Sequence, residues 1–258
     1  MIRDVLTARA RVLQEEALGE YHVNFRVEKK DLLDVAFAGR SARAIAELGC
    51  VWGVDCAYGR YALTKFGLKS VKMVDTHWTA SALEAVARHP EIEVITRNFG
   101  DPDLPGMIGP VDAIVLFDVL LHQVAPDWDR VLQIYAPYTD SFLIFNPQWI
   151  DHGPSVRLLD LGREEYFRNV PHEPGDPPYQ KLFDSMYETH PEHERIWRDV
   201  HHVWQWGITT ADLLFTMGRL GFELDYFRNH GLDYFRSRGV LGTSRFAEQA
   251  FVFRKQRD

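Results

Sequence analysis

Cysteine is scarce in this 258-residue chain. Cys50 and Cys56 are the only two, too few and too close together for a disulfide framework, so a reducing cytosol (a cytoplasmic location) is the compartment that fits. No uninterrupted apolar run approaches the ~20 residues that a membrane-crossing helix needs, and no membrane partner is expected. Positive charge is not in excess: 29 Lys and Arg face 37 Asp and Glu, a formal net charge of -8. Duplex binding draws its affinity from a basic surface that neutralises phosphates, so a nucleic-acid partner is not expected. A Gly-Lys-Ser/Thr phosphate loop is missing, and so is a His-Glu-x-x-His zinc signature. The opening stretch MIRDVLTARARVLQEEALGE scatters charges throughout, unlike a secretory leader. What is present is an ordinary globular composition, 46% hydrophobic and 26% charged, in a chain long enough to bury a core without staples.

Periodicity divides the chain, read as one domain, into four stretches. Residues 1–40 read as an N-terminal helical segment, with Ile2, Val5, Leu6, Val12 and Leu13 on one stripe. Residues 41–146 alternate short apolar runs with helical patterns: strands over Ala42–Leu48, Val71–Val74, Ile92–Ile95, Val111–Phe117 and Ser141–Phe145, and helices over Val54–Phe66, Thr79–Arg88 and Asp127–Ala136. Buried strands separated by helices imply βαβ units and a parallel sheet. Residues 147–207 break the rhythm with Pro154, Pro171, Pro174, Pro177 and Pro178 among many aromatics and histidines, and read as an inserted cap. Residues 208–258 resume it with a helix over Thr209–Leu220 and strands over Phe222–Phe227 and Glu248–Phe253.

Ligands of open parallel sheets bind beyond the carboxyl ends of the strands. Gly49 and Gly53 after the first strand allow a tight turn and a close backbone approach. Asp75 ends the second strand, where a carboxylate can accept both hydroxyls of a ribose; its alternative role there is to cap a helix. A dinucleotide fingerprint needs glycine where Val51 stands, and it places its acid about 20 residues on, nearer than Asp75. A nicotinamide oxidoreductase is therefore disfavoured.

Taken in order, AELGCVWG, VKMVDTHWT, RNFGD and LFDVLLHQVAPD resemble the strand-end motifs of the Rossmann-like, S-adenosylmethionine-dependent methyltransferases. LGFELDYF and AFVFRK resemble their terminal hairpin. The resemblance implies a doubly wound, mostly parallel seven-stranded α/β sheet with an antiparallel last strand. It also implies that Glu47, Gly49, Cys50 and Gly53 shape the methionine end of the S-adenosylmethionine site. Asp75 and Thr76 would lie at the ribose, Asn98 and Phe99 at the adenine, and Phe117 and Asp118 along the methyl-donor side. Val51 and Trp52 replace the second glycine region of the family motif, so that turn must be shaped differently.

Within that frame the expected activity is methyl transfer to a small molecule, with oxygen of a sugar or another hydroxylated metabolite as the acceptor. His122, just past the fourth strand, is the candidate general base, and His202 is the substitute. His201, Trp204, Trp206 and Trp149 are candidate acceptor contacts, although the tryptophans equally suit burying the cap against the domain. The metal ligands are unknown; a divalent ion held by oxygen ligands such as Asp118 stays open. So does a homo-oligomer. The competing readings are an RNA-modifying methyltransferase and a catalytically silent cofactor-binding partner subunit.

Overall fold

A computed structural model describes residues 25–150, 153–170, 179, 181–191, 195–231 and 245–256. The expected stripe over Ile2–Leu13, and His193 in the cap, lie outside them. Among the described residues the first element is helix α1, Val27–Phe37. It buries Lys29, Leu32, Leu33, Ala36 and Phe37 on one stripe. The lysine at the head of this stripe disguises its amphipathic pattern in the sequence.

The core follows as β1 (Ala44–Leu48), α2 (Ala57–Phe66), β2 (Ser70–Asp75), α3 (Ala80–Val86), β3 (Ile92–Thr96), α4 (Leu104–Ile108), β4 (Ala113–Phe117), α5 (Trp128–Tyr135) and β5 (Ser141–Trp149). A small antiparallel pair, β6 (Val156–Arg157) and β7 (Trp206–Gly207), brackets helix α6 (Arg163–Asn169). Helix α7 (Thr210–Arg219) leads into β8 (Phe222–Gly231) and β9 (Phe246–Lys255). The seven-stranded sheet runs β3-β2-β1-β4-β5-β9-β8. Strands β1 to β5 are parallel, and β9 lies antiparallel between β5 and β8.

Apolar layers cover both faces of the sheet. Leu32 and Phe37 of α1, Tyr58 and Tyr61 of α2 and Ala82 of α3 pack on one. Leu104 of α4, Val131 and Leu132 of α5 and Leu213 and Met217 of α7 pack on the other. Covering on both sides is why AIAEL and AIVLF read as continuous apolar runs around a single acid. Thr79 caps α3 by accepting from the Ala82 amide, and Thr209 caps α7 by accepting from the Asp212 amide.

Two of the boundaries that differ from the sequence reading shape the site. Helix α2 starts at Ala57 rather than Val54, because Asp55 and Cys56 adopt left-handed φ angles of 45° and 62°. Strand β5 continues past Phe145 to Trp149, since β9 pairs with it along all nine residues. Strand β4 has already ended, its last register pair being Phe117 with Phe145. Pro147 therefore sits where β5 has one neighbouring strand, the position in which a sheet tolerates proline.

Candidate functional site

The carboxyl ends of β1 and β2 are laced together. The Val51 amide donates to Asp75 Oδ2 at 2.9 Å, and the amides of Thr76 and His77 donate to Oδ1 at 2.8 and 3.3 Å. The strand-two acid thus organises the glycine loop as well as its own turn, and Oδ2, with one donor, keeps a lone pair for a further one. Gly49 has φ +72°, and a Cβ built there would meet Val119 Cγ1 at 2.5 Å. Glycine is needed twice over, for its backbone conformation and for the close approach of the loop after β4. Gly53 is also left-handed at φ +71°, and Trp52 beside it is 88% exposed.

Glu47 is buried beneath this loop, where its Oε2 accepts from the Gly59 amide at 2.7 Å. Burial pushes its carboxyl up to about 8, with Lys29 pulling the other way. Glu47 therefore fixes the first turn of α2 from below, as a protonated acid at neutral pH. Cys50 and Cys56 are buried thiols with sulfurs 3.6 Å apart, and the Cys56 amide closes the loop on the Cys50 carbonyl at 2.9 Å. Burial pushes the Cys50 thiol well up.

On the adenine side, Asn98 turns its Oδ1 inward to the Gly100 amide at 2.8 Å, and the Phe99 carbonyl accepts from the Tyr135 hydroxyl at 2.9 Å. Those groups hold the loop after β3. Phe117, ending β4, packs edge-on against Tyr58.

The end of β4 carries a feature that the sequence did not suggest. Lys29, reaching down from α1, is ion-paired with Asp118 Oδ2 at 2.7 Å. Its ammonium lies 5.5 to 5.8 Å from the ring centroids of Tyr58, Phe117 and Phe145. Three residues earlier, just before α1, Arg26 grips Glu248 of β9 through both carboxylate oxygens, and its guanidinium lies 5.0 Å from the Phe145 ring centroid. Burial raises Glu248 to about 6 against the pull of Arg26. Asp118, considered as an oxygen ligand for a divalent ion, is instead the counter-ion of a buried lysine. Among the described residues, no group of three or more His, Cys, Asp and Glu side chains is placed to hold a metal.

The histidines separate by environment. His122 Nδ1 lies 2.9 Å from the Val203 carbonyl. A carbonyl only accepts, so Nδ1 carries the proton and Nε2 keeps a free lone pair. Burial lowers the His122 pKa, with Asp118 opposing, and the ring stands edge-on to Trp204 at 6.3 Å. His201 is occupied at both nitrogens. Its Nδ1 faces Asn98 at 3.4 Å, and its Nε2 meets Arg195 at 2.8 Å and the Val124 carbonyl at 3.1 Å. Burial and Arg195 hold it down to about 4. It joins the cap to the loops after β3 and β4 rather than presenting a free nitrogen. His202 is exposed.

The tryptophans pack as core. Trp149 and Trp204 are buried with Phe246, Leu158, Tyr166 and Val203 in one cluster that ties the 153–207 region to the end of β5. Trp206 donates its indole N–H to the Gln123 carbonyl at 3.0 Å. Their large apolar area is satisfied within the protein, which is the structural alternative weighed from the sequence.

The strand order and the single antiparallel strand define a Rossmann-like methyltransferase fold. Solved structures make the likeness specific. The N-terminal domain of EvdMO1, in the presence of SAH and D-fucose, aligns over 99% of this chain and 98% of its own, at TM-score 0.55 and 15% identity. Burkholderia thailandensis 1,6-didemethyltoxoflavin-N1-methyltransferase, with bound 1,6-didemethyltoxoflavin and S-adenosylhomocysteine, aligns over 97% of this chain and 90% of its own, at 0.53 and 14%. A putative S-adenosylmethionine dependent methyltransferase from Listeria monocytogenes covers 90% of this chain and 100% of its own, at 0.53 and 13%. No family model and no curated protein matches the chain. No helix among the described residues is long and apolar enough to cross a membrane.

Proposed function

We propose that this protein is an S-adenosylmethionine-dependent methyltransferase acting on a small molecule, with a hydroxyl of a sugar or a related metabolite as the acceptor. One observation carries the reading: the Gly49–Gly53 loop is tied to Asp75 through the Val51 amide. That lacing lies at the strand ends of a fold whose solved examples hold S-adenosylhomocysteine. The donor set suits the cofactor. Asp75 offers carboxylate oxygens to ribose hydroxyls, and the turn around Gly49 and Gly53 gives backbone access to the amino-acid end. Thr76, Asn98 and Phe99 border the nucleoside, while Phe117 and Asp118 border the methyl-donor side. When bound, S-adenosylmethionine supplies an electrophilic methyl group on a cationic sulfur.

The chain supplies position and a base. Half-buried and held through Nδ1 by Val203, His122 keeps Nε2 unprotonated at neutral pH and takes the proton of the acceptor hydroxyl there. The described part of the cap, packed on Trp149 at the end of β5, covers the acceptor and keeps water out. D-fucose in the EvdMO1 structure supports a sugar-like acceptor.

Calorimetry with S-adenosylmethionine and S-adenosylhomocysteine tests the proposal, with NAD as the control. Ligand at one hundred times its dissociation constant raises stability by about 2.7 kcal/mol. No heat and no thermal shift with either adenosyl ligand would end the methyltransferase reading.

A further inference from the structure

Cys50 and Cys56 are the only cysteines in the chain, and the fold brings them into contact. Their sulfurs lie 3.6 Å apart, and the Cys56 amide donates to the Cys50 carbonyl at 2.9 Å. A backbone bond of this kind sets two Cα atoms about 5.5 Å apart, inside the ~4.4–6.8 Å that a disulfide spans. Each sulfur would move by less than ~1 Å to reach bonding distance. The residues between them form the glycine loop after β1. Its Val51 amide is tied to Asp75, and its Val51 carbonyl accepts from the Val54 and Asp55 amides at 3.2 and 3.0 Å. Asp55 and Cys56 close the loop at left-handed φ angles of 45° and 62°, which cost a non-glycine residue energy. The closed loop is therefore held against strain by few bonds, while Trp52 at its tip is exposed. Both thiols are buried beneath it, and burial pushes Cys50 up, so neither is open to attack until the loop lifts.

We propose that Cys50 and Cys56 are a modification site: a dithiol–disulfide couple that staples the glycine loop in its closed shape and reacts only while that loop is empty. The co-reactant is a small disulfide of the glutathione type. One protein thiolate attacks it, which forms a mixed disulfide and expels one glutathione thiolate. The second protein thiolate then attacks the protein sulfur of that mixed disulfide and expels the other. Two protein sulfurs are oxidised, one small disulfide is reduced to two thiols, and those thiols take the two protons. Disulfides in a reducing compartment are commonly of this transient, redox-responsive kind. A ligand seated on the loop keeps it shut and so shields both thiols. The disulfide rests on the thiol geometry alone, whereas shielding by an adenosyl ligand rests on the methyltransferase reading.

The test incubates the full, reduced chain with oxidised glutathione, with and without saturating S-adenosylhomocysteine, and follows intact mass and thermal unfolding. The chain should lose two hydrogens, retain no thiol that alkylates in denaturant, and unfold about 5 °C higher, since the link shortens the loop that the unfolded chain can explore. Dithiothreitol should reverse all three. Saturating S-adenosylhomocysteine should slow the oxidation at least tenfold. Cys56→Ser and Cys50→Ala, either of which serves if the other does not fold, should take up at most one glutathione and gain nothing in unfolding temperature. Thiols that stay free, glutathione that adds to the parent without an internal disulfide, or a disulfide that leaves the unfolding temperature unchanged or lowers it would each overturn the inference. Equal oxidation rates with and without S-adenosylhomocysteine, in a chain that binds it by calorimetry, would overturn the shielding. If calorimetry shows no S-adenosylhomocysteine binding, the methyltransferase reading fails, while mass and unfolding temperature still decide the disulfide.

Discussion

Lys29 and Asp118 meet at 2.7 Å across the join between α1 and the end of β4. The lysine is buried and the carboxylate about one-third exposed, so the pair is shielded on one side and open on the other. It fastens the first helix over the strand end where the chemistry is placed. Removing the lysine leaves a poorly solvated carboxylate among aromatic rings. Lys29→Met should destabilise the protein by about 2–3 kcal/mol, below the 3–5 of a fully buried pair because Asp118 is partly solvated. Lys29→Met with Asp118→Asn should lose less than Lys29→Met alone. Urea unfolding of the three variants checks this, and a loss under about 0.5 kcal/mol for Lys29→Met would mean that the pair is incidental.

Asp75 joins the glycine loop to the second strand through the Val51 amide and holds its own turn through the amides of Thr76 and His77. Asp75→Ala should weaken S-adenosylhomocysteine binding roughly ten- to a hundredfold, the loss of a charge-assisted hydrogen bond, while the chain stays folded. Unchanged affinity by calorimetry would restrict this acid to organising its turn.

His122→Ala should retain S-adenosylhomocysteine affinity and lose about 10²–10⁴ in turnover. Because burial lowers the His122 pKa below its ordinary value of 6.5, the parent rate should hold through neutral pH and fall only in more acid solution, where Nε2 gains a proton. His202→Ala is the comparison. Full activity in His122→Ala with collapse in His202→Ala would transfer the base to the cap.

Glu47 makes stability depend on pH with an unusual sign. Its carboxyl is raised from 4.5 to about 8 in the folded protein, so between those values the native state holds a proton that the unfolded chain has released. The Glu47 contribution is complete below pH 4.5 and is lost as pH rises through about 8, at up to about 1.4 kcal/mol per pH unit. His201, lowered from 6.5 to about 4, acts oppositely: its contribution is present above 6.5 and lost as pH falls. Glu47→Gln keeps an acceptor for the Gly59 amide and cannot titrate. Unfolding of parent and variant between pH 6.5 and 8, above the His201 window, should therefore show a falling stability in the parent and a flatter one in Glu47→Gln. Parallel curves would contradict the buried acid.

Repeated apolar runs ended by turn residues determined the strands of the parallel core, because a sheet covered on both faces leaves the same hydrophobic signature wherever its strands begin and end. The helix starts at Thr79 and Thr209 were legible for a similar reason: an N-cap is satisfied within three residues of itself. The glycine turn and the acid of β2 were also local, each placed by its own strand end. Tertiary structure alone decided what those residues touch. The Lys29–Asp118 pair spans 89 positions and Arg26–Glu248 spans 222, and no periodicity relates residues so far apart. A lysine on a buried stripe even hid which face of α1 is buried, since its charge reads as solvated until its counter-ion is seen. The same holds for the tryptophans and histidines of the cap. Composition brought them together on paper, but only packing showed Trp149 and Trp204 as core, His201 engaged at both nitrogens, and His122 held by one nitrogen with the other free. Burial and partner choice are properties of the folded neighbourhood, and they set the chemistry of a side chain whose identity alone the sequence states.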